Sequence, residues 1–443
     1  MSNRREFLKT SAAAGAIVTA SGANLFAAAG NDVIKVGLIG CGGRGTGAVR
    51  NLLDAERKIN GANMKVEITA VADVFKTKAE GAAKSFKALD KDGQPDKKNP
   101  FSKYAAQIKV TPETTFDGLD AYQKLLNSGV DLVILATPPG FRPLHLEAAV
   151  RAGKHVFCEK PVAVDATGAR KCFELVEESK KKNIAIVAGT QRRHQKGYIE
   201  TIKKLQDGAI GDIVAARCSW NGSGIWFHGR QKGEADAHYQ IRNWYHFLWL
   251  CGDHIVEQHV HNLDVINWIM GDHPIKAIGM GGRSLGNESR PSGDPTDVGN
   301  IWDHYAVEYE YKNGVKLASY CRHIPGDNDV SEAVVGTKGG CKVNKYLING
   351  QQAGEDNEDA YVQEHIDLLN SIRASKPLNE LYNVTASTFT AILGRNASYA
   401  CRTLKWEDAL KANEDTMPKN LTLDATVKVN GAPIAGSWRL PTA

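Results

Sequence analysis

The sequence predicts an α/β domain with a parallel sheet, followed by an α+β domain with a large open, mainly antiparallel sheet. In the first part of the chain, short, continuously apolar runs alternate with helical stretches, as expected of strands buried on both faces. Further on, segments of alternating polar and apolar residues follow one another with few helices between them. We place the first domain at residues 31–160 and the second at residues 161–443.

The composition is that of an ordinary globular protein, with 443 residues, 42% hydrophobic and 24% charged. It excludes collagen-like, disordered and small disulfide-linked classes. The net charge of +5 is small and dispersed, which argues against a nucleic-acid partner. The eight cysteines form no Cys-x-x-Cys pair, so a disulfide framework is not expected. We expect no membrane span in the mature chain.

Residues 1–29 are typical of an export signal. Arg4 and Arg5 precede Phe7-Leu8-Lys9, and a weakly apolar run then ends in Ala27-Ala28-Ala29. The twin arginine resembles a Tat signal, and the run is too short and too rich in Gly and Ser for a stable membrane span. We therefore expect the Tat export machinery as a partner, and a periplasmic or otherwise exported protein.

The first apolar strand, Val33 to Ile39, leads directly into the run Gly-Cys-Gly-Gly-Arg-Gly, and a helical stretch follows. This is the Gly-x-Gly-x-x-Gly pattern of Rossmann domains in its required place between a strand and a helix. Gly40 is expected to allow the tight turn, Gly42 the approach of a pyrophosphate, and Gly45 close helix–strand packing. An ordinary Gly-rich turn is the alternative. The loop residues expected to bind the dinucleotide are Gly40, Gly42, Gly43, Arg44 and Gly45.

Asp73 follows the second predicted strand, Val66 to Ala72. A carboxylate there can accept hydrogen bonds from the adenosine ribose hydroxyls and repel a 2′-phosphate, which favours NAD over NADP. The nearby Lys76 and Lys78 leave NADP open. The alternative role for Asp73 is that of a helix N-cap.

The third predicted strand, Val130 to Ala136, ends in the rigid turn Thr137-Pro138-Pro139-Gly140. Ligands bind at the carboxyl edge of open α/β sheets, so Thr137 and Pro138 are expected beside the cofactor. After another helix and a further apolar run, the chain reaches Glu159-Lys160-Pro161.

Together these motifs resemble the Gfo/Idh/MocA oxidoreductases, the relatives of glucose–fructose oxidoreductase and inositol dehydrogenase. The residues that carry the resemblance are the Thr-Pro-Pro turn, His145, the Ala-Gly-Lys-His-Val run at 152–156 and Glu159-Lys160-Pro161. The resemblance extends from about Val33 to Thr403. It implies that Glu159 and Lys160 lie at the cofactor and that Lys160 is catalytic. An ammonium there can hydrogen-bond a substrate hydroxyl and stabilise developing oxyanion character.

A histidine-rich stretch in the second domain predicts one continuous helix. His254, Glu257, His261 and Asp264 recur every three or four residues and would share a face. For acid–base work, Glu257 would orient His261, which would accept the hydroxyl proton. The resemblance supports this interpretation, since the family's helix carries Asp, three residues, His, two residues and Asp, with Glu257 replacing the first Asp. A metal site and purely structural histidines are the alternatives, and we predict no metal.

The predicted substrate contacts are Arg193, Asp264, Trp244 and Tyr245. Arg193 belongs to a Gly-x-x-x-Arg run similar to one in the family, and a surface salt bridge is its alternative. Trp244 and Tyr245 lie in an aromatic-rich region that would stack on sugar rings, with core packing as the alternative. The resemblance also implies that the open sheet packs against another subunit, so we expect a homo-oligomer.

These observations predict an exported NAD(P)-dependent oxidoreductase with a tightly bound cofactor. Its substrate would be a secondary hydroxyl or ketone of a sugar, glycoside or cyclitol. One alternative is an NAD-dependent glycosidase that works by transient oxidation. Such relatives carry Gly-Asn-x-Tyr-Pro-x-His-Gly where this chain has Gly252-Asp253-His254-Ile255. Another alternative is a non-catalytic sugar-binding or sensor protein, against which Lys160 and His261 argue.

Overall fold

A computed structural model describes residues 33–90, 92–284, 293–356 and 358–442, so the predicted signal at residues 1–29 lies outside the described residues. A six-stranded parallel sheet has the spatial order β3-β2-β1-β4-β5-β6. Its strands are β1 Ile34–Ile39, β2 Val66–Asp73, β3 Thr115–Asp117, β4 Leu132–Leu135, β5 His155–Cys158 and β6 Ile186–Ala188. This order, which reverses direction between β1 and β4, is that of a Rossmann sheet and confirms the predicted fold of the first domain.

Strands β4 and β5 are buried along their whole length, which indicates that both faces of the parallel sheet are covered, as expected when helices pack on each side. The first five helices are α1 Gly43–Asn60, α2 Lys76–Phe86, α3 Ala121–Leu126, α4 Arg142–Arg151 and α5 Ala166–Lys181. Strand β6 pairs with β5 although it lies in the segment that the sequence analysis gave to the second domain. The sheet therefore extends past residue 160.

The second sheet has nine strands in the order β14-β13-β12-β11-β7-β10-β9-β8-β15. Its strands are β7 Ile213–Gly222, β8 Lys276–Gly282, β9 His304–Glu310, β10 Lys316–His323, β11 Asp329–Gly336, β12 Gly339–Lys342, β13 Leu347–Ile348, β14 Gln351–Gln352 and β15 Leu404–Lys405. Strands β7 and β10 run parallel, and the other pairings are antiparallel. The predicted mainly antiparallel sheet is confirmed.

The helices of the second half within the described ranges are α6 Lys196–Gln206, α7 Asp236–Arg242, α8 Leu248–Cys251, α9 His254–Glu257, α10 Val260–Met270, α11 Pro295–Val298, α12 Ala360–Arg373, α13 Leu381–Ala400 and α14 Trp406–Lys411. Helices α6, α9, α10, α13 and α14 contribute to the core that includes the sheet. Helix α13 is buried over most of its length and shares a core with the sheet. Helix α12 instead returns to the first domain, where Val362, Leu368 and Leu369 join the core around β1 and α1.

Residues 414–429 contain no helix or strand, and we call them the C-terminal strap. The backbone N–H and hydroxyl of Thr416 donate to Asp165 at 2.8 and 2.7 Å. Further along, the buried Gln240 of α7 donates to the Val427 carbonyl and accepts from the Trp249 indole at 2.8 Å. The strap therefore holds α7 against the rest of the protein.

Within the described ranges, no helix is long and apolar enough to cross a membrane. All eight cysteines lie in these ranges; no disulfide joins them in the described structure, and Cys401 is the exposed one.

Candidate active site

A cavity of about 1250 Å³ opens at the carboxyl ends of β1, β2, β4 and β5 and reaches the second domain. This is the edge where open α/β sheets bind ligands. The predicted site residues that line it are Gly40, Gly42, Gly43, Arg44, Asp73, Thr137, Pro138, Glu159, Lys160, Trp244, Tyr245, Glu257 and His261. Gly45, Arg193 and Asp264 lie outside the lining.

The glycine loop forms an open cradle. Gly40 has φ +101°, and a Cβ there would lie 2.6 Å from the Ala136 carbonyl carbon, so the tight turn requires glycine. A Cβ on Gly45 would lie 2.0 Å from the Gly40 oxygen, which explains why this residue packs helix against strand instead of facing the cavity. Beside Gly42 and Gly43 the Cβ positions have nothing within 4 Å. This space at the start of α1 fits a cofactor pyrophosphate held by backbone N–H groups.

Asp73 is fixed at the end of β2 by two backbone donors. Its carboxylate accepts from the Cys41 N–H at 2.8 Å and from the Phe75 N–H at 2.9 Å. Burial raises the pKa of Asp73, and the two hydrogen bonds oppose that rise. Because the N-cap of α2 is Phe75, the helix-cap alternative for Asp73 is not realised. The residues present therefore fit the ribose of NAD.

Lys160 and Glu257 form the charged centre of the cavity. The Lys160 ammonium donates to both Glu257 carboxylate oxygens, at 3.1 and 3.0 Å, and also to the Glu257 backbone carbonyl. Both side chains are buried. Burial raises the pKa of Glu257, and the charge of Lys160 opposes that rise.

The backbone carbonyl of Glu257 can accept a hydrogen bond from Lys160 because the predicted helix is broken after this residue. Helix α9 ends at Glu257 and α10 begins at Val260, so one continuous helix over 254–264 was wrong. In an unbroken helix the Glu257 carbonyl would accept from the His261 N–H. Here that N–H donates to Gln258 instead, at 3.4 Å. The break turns a helix end into a second acceptor for the lysine.

His261 faces the cavity as a neutral imidazole. Its ring lies against Trp220, with centroids 5.8 Å apart and planes 20° from parallel. Burial, and then the charge of Lys160, lower the pKa of His261 well below its usual value. The ring is therefore unprotonated at neutral pH, with one nitrogen lone pair available to a substrate hydroxyl. The expected orientation of His261 by Glu257 is not found, since the Glu257 carboxylate is held by Lys160.

Arg193 and Asp264 bind each other. The guanidinium donates to the carboxylate through Nε at 2.8 Å and through a terminal nitrogen at 2.8 Å, and Ser387 adds a third hydrogen bond at 2.7 Å. Neither residue lines the cavity, so their predicted substrate contacts are not supported. Sequence spacing alone did not reveal that the opposite charges satisfy each other inside the second domain.

The metal alternative finds no support in the part of the chain that the structure describes, which holds no group of three or more His, Cys, Asp or Glu suited to a metal ion. The two carboxylates of the predicted face, Glu257 and Asp264, are instead paired with Lys160 and Arg193.

Arg44 joins the glycine loop to two acidic groups. Its Nε is paired with Glu159, which follows β5, and a terminal nitrogen lies 3.2 Å from Glu364 of α12. The guanidinium also lies over the ring of Tyr361, 5.1 Å from its centroid. Glu364 and Tyr361 were missed by the sequence analysis because no local pattern connects residues about 320 positions apart.

Arg142 was also missed, although it opens the helix that follows the Thr-Pro-Pro-Gly turn. It is 4% exposed, and its guanidinium donates to the carbonyls of Thr137, at 2.8 Å, and Pro161. It thereby ties the two motif turns together. His145 supports the same turn, with Nδ1 3.1 Å from the Thr137 hydroxyl. Burial lowers the pKa of His145 to about 3, so it acts as a neutral partner.

An aromatic wall closes the far side of the cavity, formed by Trp226, Trp244 and Tyr245. Trp226 is 41% exposed, whereas Tyr245 and Trp249 from the same region are each 3% exposed and belong to buried clusters. The ring that this region exposes to the cavity is therefore mainly that of Trp226.

Comparison with family models gives two matches. Residues 34–188 match a model described as an oxidoreductase family with an NAD-binding Rossmann fold, and residues 202–414 match the C-terminal alpha/beta domain of the same family.

Individual relatives are more distant. An inositol 2-dehydrogenase from Rhizobium meliloti is 22% identical over 268 residues, covering 60% of this chain and 64% of the relative. A 2,7-anhydro-N-acetylneuraminate hydratase from Escherichia coli is 25% identical over 249 residues, covering 51% and 59%. The chain thus matches less than two thirds of either curated relative. Among solved structures, a scyllo-inositol dehydrogenase from Lactobacillus casei with NAD(H) and scyllo-inositol has a TM-score of 0.59 at 18% identity, covering 85% of this chain and 100% of that one.

Proposed function

Because the chain belongs to the Gfo/Idh/MocA oxidoreductase family, we propose that it is an NAD(P)-dependent oxidoreductase with a tightly bound cofactor. It transfers a hydride between this nicotinamide cofactor and a secondary hydroxyl or ketone of a sugar, glycoside or cyclitol. One observation carries the proposal: the Lys160 ammonium, held by Glu257, faces the same cavity as the glycine cradle and the neutral His261.

In this proposal the residues divide the work of oxidising a hydroxyl. Lys160 donates a hydrogen bond to the substrate oxygen and stabilises its developing negative charge. His261 accepts the hydroxyl proton as the carbon–oxygen double bond forms. The glycine cradle and Asp73 hold NAD, which supplies the hydride acceptor when bound. Glu257 fixes the ammonium through two kinds of acceptor and so restricts where it points.

The decisive experiment compares the purified protein with its Lys160→Met variant. Nucleotide released on denaturation is identified first, and NADH formation is then followed with a panel of sugars, glycosides and cyclitols. We expect bound NAD in both proteins and turnover in the unaltered protein alone. A protein with no affinity for NAD(H), or a variant that oxidises substrate at the original rate, would overturn the proposal. Bound NAD without turnover of any substrate in the unaltered protein would favour the sugar-sensor alternative.

A second candidate is a reaction without net oxidation, in which a transient ketone assists bond cleavage or water addition. The hydratase similarity favours this candidate. Aryl glycosides in deuterated water separate the two functions. Phenol release, or deuterium incorporation next to the oxidised carbon, without NADH accumulation indicates transient oxidation, and net NADH indicates a dehydrogenase.

We also propose that the protein is exported through the Tat pathway, on the basis of the twin arginine in residues 1–29. Cell fractionation tests this directly. Arg4→Lys together with Arg5→Lys should retain the protein in the cytoplasm, and unaltered export of the double variant would contradict the proposal.

We propose in addition a homo-oligomer formed through the open face of the nine-stranded sheet. That face carries Met280, which is 69% exposed, beside the exposed Ile278 and Tyr320. Light scattering should show that Met280→Lys shifts the protein toward monomer. Ile434→Lys is the matched control, since Ile434 is 75% exposed but lies outside the sheet. Equal behaviour of the two variants would argue against this interface.

A further inference from the structure

The cavity contains two separate aromatic surfaces. Near the reacting groups, Trp220 lies against His261. Farther along the wall, Trp226 makes ring contacts with Trp244 at 6.1 Å and Tyr245 at 6.5 Å. Both surfaces line one continuous cavity, so one ligand can reach both.

Buried polar groups hold the Trp226 segment in place. The amide of the fully buried Asn243 pairs with the backbone of His228, accepting from its N–H at 2.9 Å and donating to its carbonyl at 2.7 Å. The imidazole of the buried His246 lies 2.7 Å from the Trp226 carbonyl. The His228 ring then stacks on Trp226, with centroids 5.1 Å apart. A large apolar ring is thus kept exposed on a fixed backbone, which is the arrangement expected of a binding surface.

The charges around this surface are already paired. Arg242 binds Glu234 through two hydrogen bonds, at 2.8 and 2.6 Å. Arg230 is paired with Asp236 at 2.9 Å and with Asp297 at 2.6 Å. Hydrogen bonding to Arg242 holds the pKa of Glu234 at about 2, so this carboxylate stays ionised. The two arginines and three carboxylates leave one net negative charge beside the aromatic face, which suits a neutral ring and not a phosphate or carboxylate.

We infer that Trp226 forms a second-ring subsite, and that the substrate is a glycoside in which the reacting sugar carries a neutral ring with an apolar face. This inference rests on the proposed function for the identity of the reacting end. The reacting sugar lies between Lys160 and His261, and the attached ring stacks on Trp226. The attached ring is either a second pyranose or an aryl group, since both present such a face.

The test separates binding from chemistry. Calorimetry on the NAD-loaded Lys160→Met protein measures the affinity for a monosaccharide, a disaccharide and an aryl glycoside of the same reacting sugar. We expect the disaccharide, the aryl glycoside or both to bind about tenfold more tightly than the monosaccharide. The ligand that binds more tightly identifies the class of the attached ring. Trp226→Ala in that background should remove most of this advantage, and Trp226→Phe should restore part of it.

Two results would overturn the inference: equal affinity for one-ring and two-ring ligands, or an equal loss of affinity for both in Trp226→Ala. Thermal unfolding and NAD affinity, both expected to stay as in the parent protein, show that the variant is folded. Because binding is measured in a protein unable to react, failure of the oxidoreductase proposal leaves this result interpretable. Tight two-ring binding without any turnover in the unaltered protein would reject the reaction and keep the subsite.

Discussion

Lys160 donates to the carboxylate and to the main-chain carbonyl of one residue, Glu257. The second acceptor exists because the helix stops there. A buried ammonium is stable only when its charge is balanced and its hydrogen atoms have acceptors, and Glu257 meets both needs. The residue is therefore a positioning group for the lysine.

Glu257→Gln tests this positioning role. The variant keeps one side-chain oxygen and the backbone carbonyl as acceptors for Lys160 but removes the negative charge that balances the buried ammonium. We expect kcat/KM to fall by about tenfold or more near neutral pH, with partial recovery in Glu257→Asp, which restores the charge. NAD affinity, measured by calorimetry, is the control. Equal losses in Glu257→Gln and Glu257→Asp would show that Glu257 has only a packing role.

His261→Asn tests the proton acceptor. Asparagine preserves a polar group of smaller size but cannot take up a proton, so kcat for alcohol oxidation should fall by about 10²- to 10⁴-fold. Because burial already keeps the imidazole neutral, the unaltered protein should show no acid limb from His261 near its ordinary pKa. Stopped-flow measurement of NADH formation checks both statements. Retention of the original kcat would assign the proton to another group.

The contrast between these residues shows what the sequence can predict. Gly40, Asp73, Thr137 and Lys160 line the cavity because each lies at or just after the end of a strand whose position in a parallel sheet is fixed by local pattern. The partner of Lys160 depended on a helix break that periodicity does not reveal, since residues on both sides of the break keep helical spacing.

The contacts that the sequence did not predict are mainly pairings between distant segments of the chain. Arg193 and Asp264 are 71 positions apart, and either charge alone resembles a substrate contact. Arg44 and Glu364 meet only because α12 returns to the first domain. Such contacts depend on tertiary packing, for which a single sequence carries no local signal.

Asp73→Asn should weaken NAD binding by about tenfold and reduce discrimination against NADP. One side-chain oxygen remains to accept a backbone hydrogen bond, but the charge that favours ribose hydroxyls and repels a 2′-phosphate is lost. Calorimetry with both cofactors gives the ratio. Lys78→Ala serves as the comparison, because Lys78 lines the cavity and its loss should affect NADP more than NAD. An unchanged ratio in Asp73→Asn would argue against ribose recognition.

Arg193→Ala should destabilise the protein by about 3–5 kcal/mol, because it leaves the buried Asp264 carboxylate without its partner. Asp264→Ala should also destabilise the protein, because it leaves the buried Arg193 guanidinium without its partner. The double variant should lose less unfolding free energy than the sum of the losses in the two single variants. Urea unfolding measures all three free energies. Additive losses would contradict the pairing, and a large rise in substrate KM at normal stability would restore a direct substrate role.

His194 should make stability depend on pH. Its Nδ1 lies 2.6 Å from Asp367 and its Nε2 lies 3.3 Å from Glu380, and although burial opposes the charge, these carboxylates raise the pKa of His194 to about 10. A pKa raised above its unfolded value adds stability that is complete below about pH 6.5 and is lost as the pH rises toward 10.

The comparison with His194→Gln isolates this group. The difference in unfolding free energy between the unaltered protein and the variant should shrink as the pH rises, by at most about 1.4 kcal/mol per pH unit. The partial exposure of Asp367 screens the interaction and reduces this slope. A difference that is constant from pH 6 to about 9 would show that His194 is neutral in the folded protein.

The C-terminal strap has a consequence for the order in which the protein is built. Residues 414–429 leave the ribosome after every strand of both sheets, yet Val427 accepts the hydrogen bond that secures Gln240 and thereby α7. The first domain can form its sheet during synthesis, but the wall that carries Trp244 is secured only after every strand of both sheets has been synthesised. A nascent chain therefore presents a formed nucleotide cradle beside an incomplete substrate chamber.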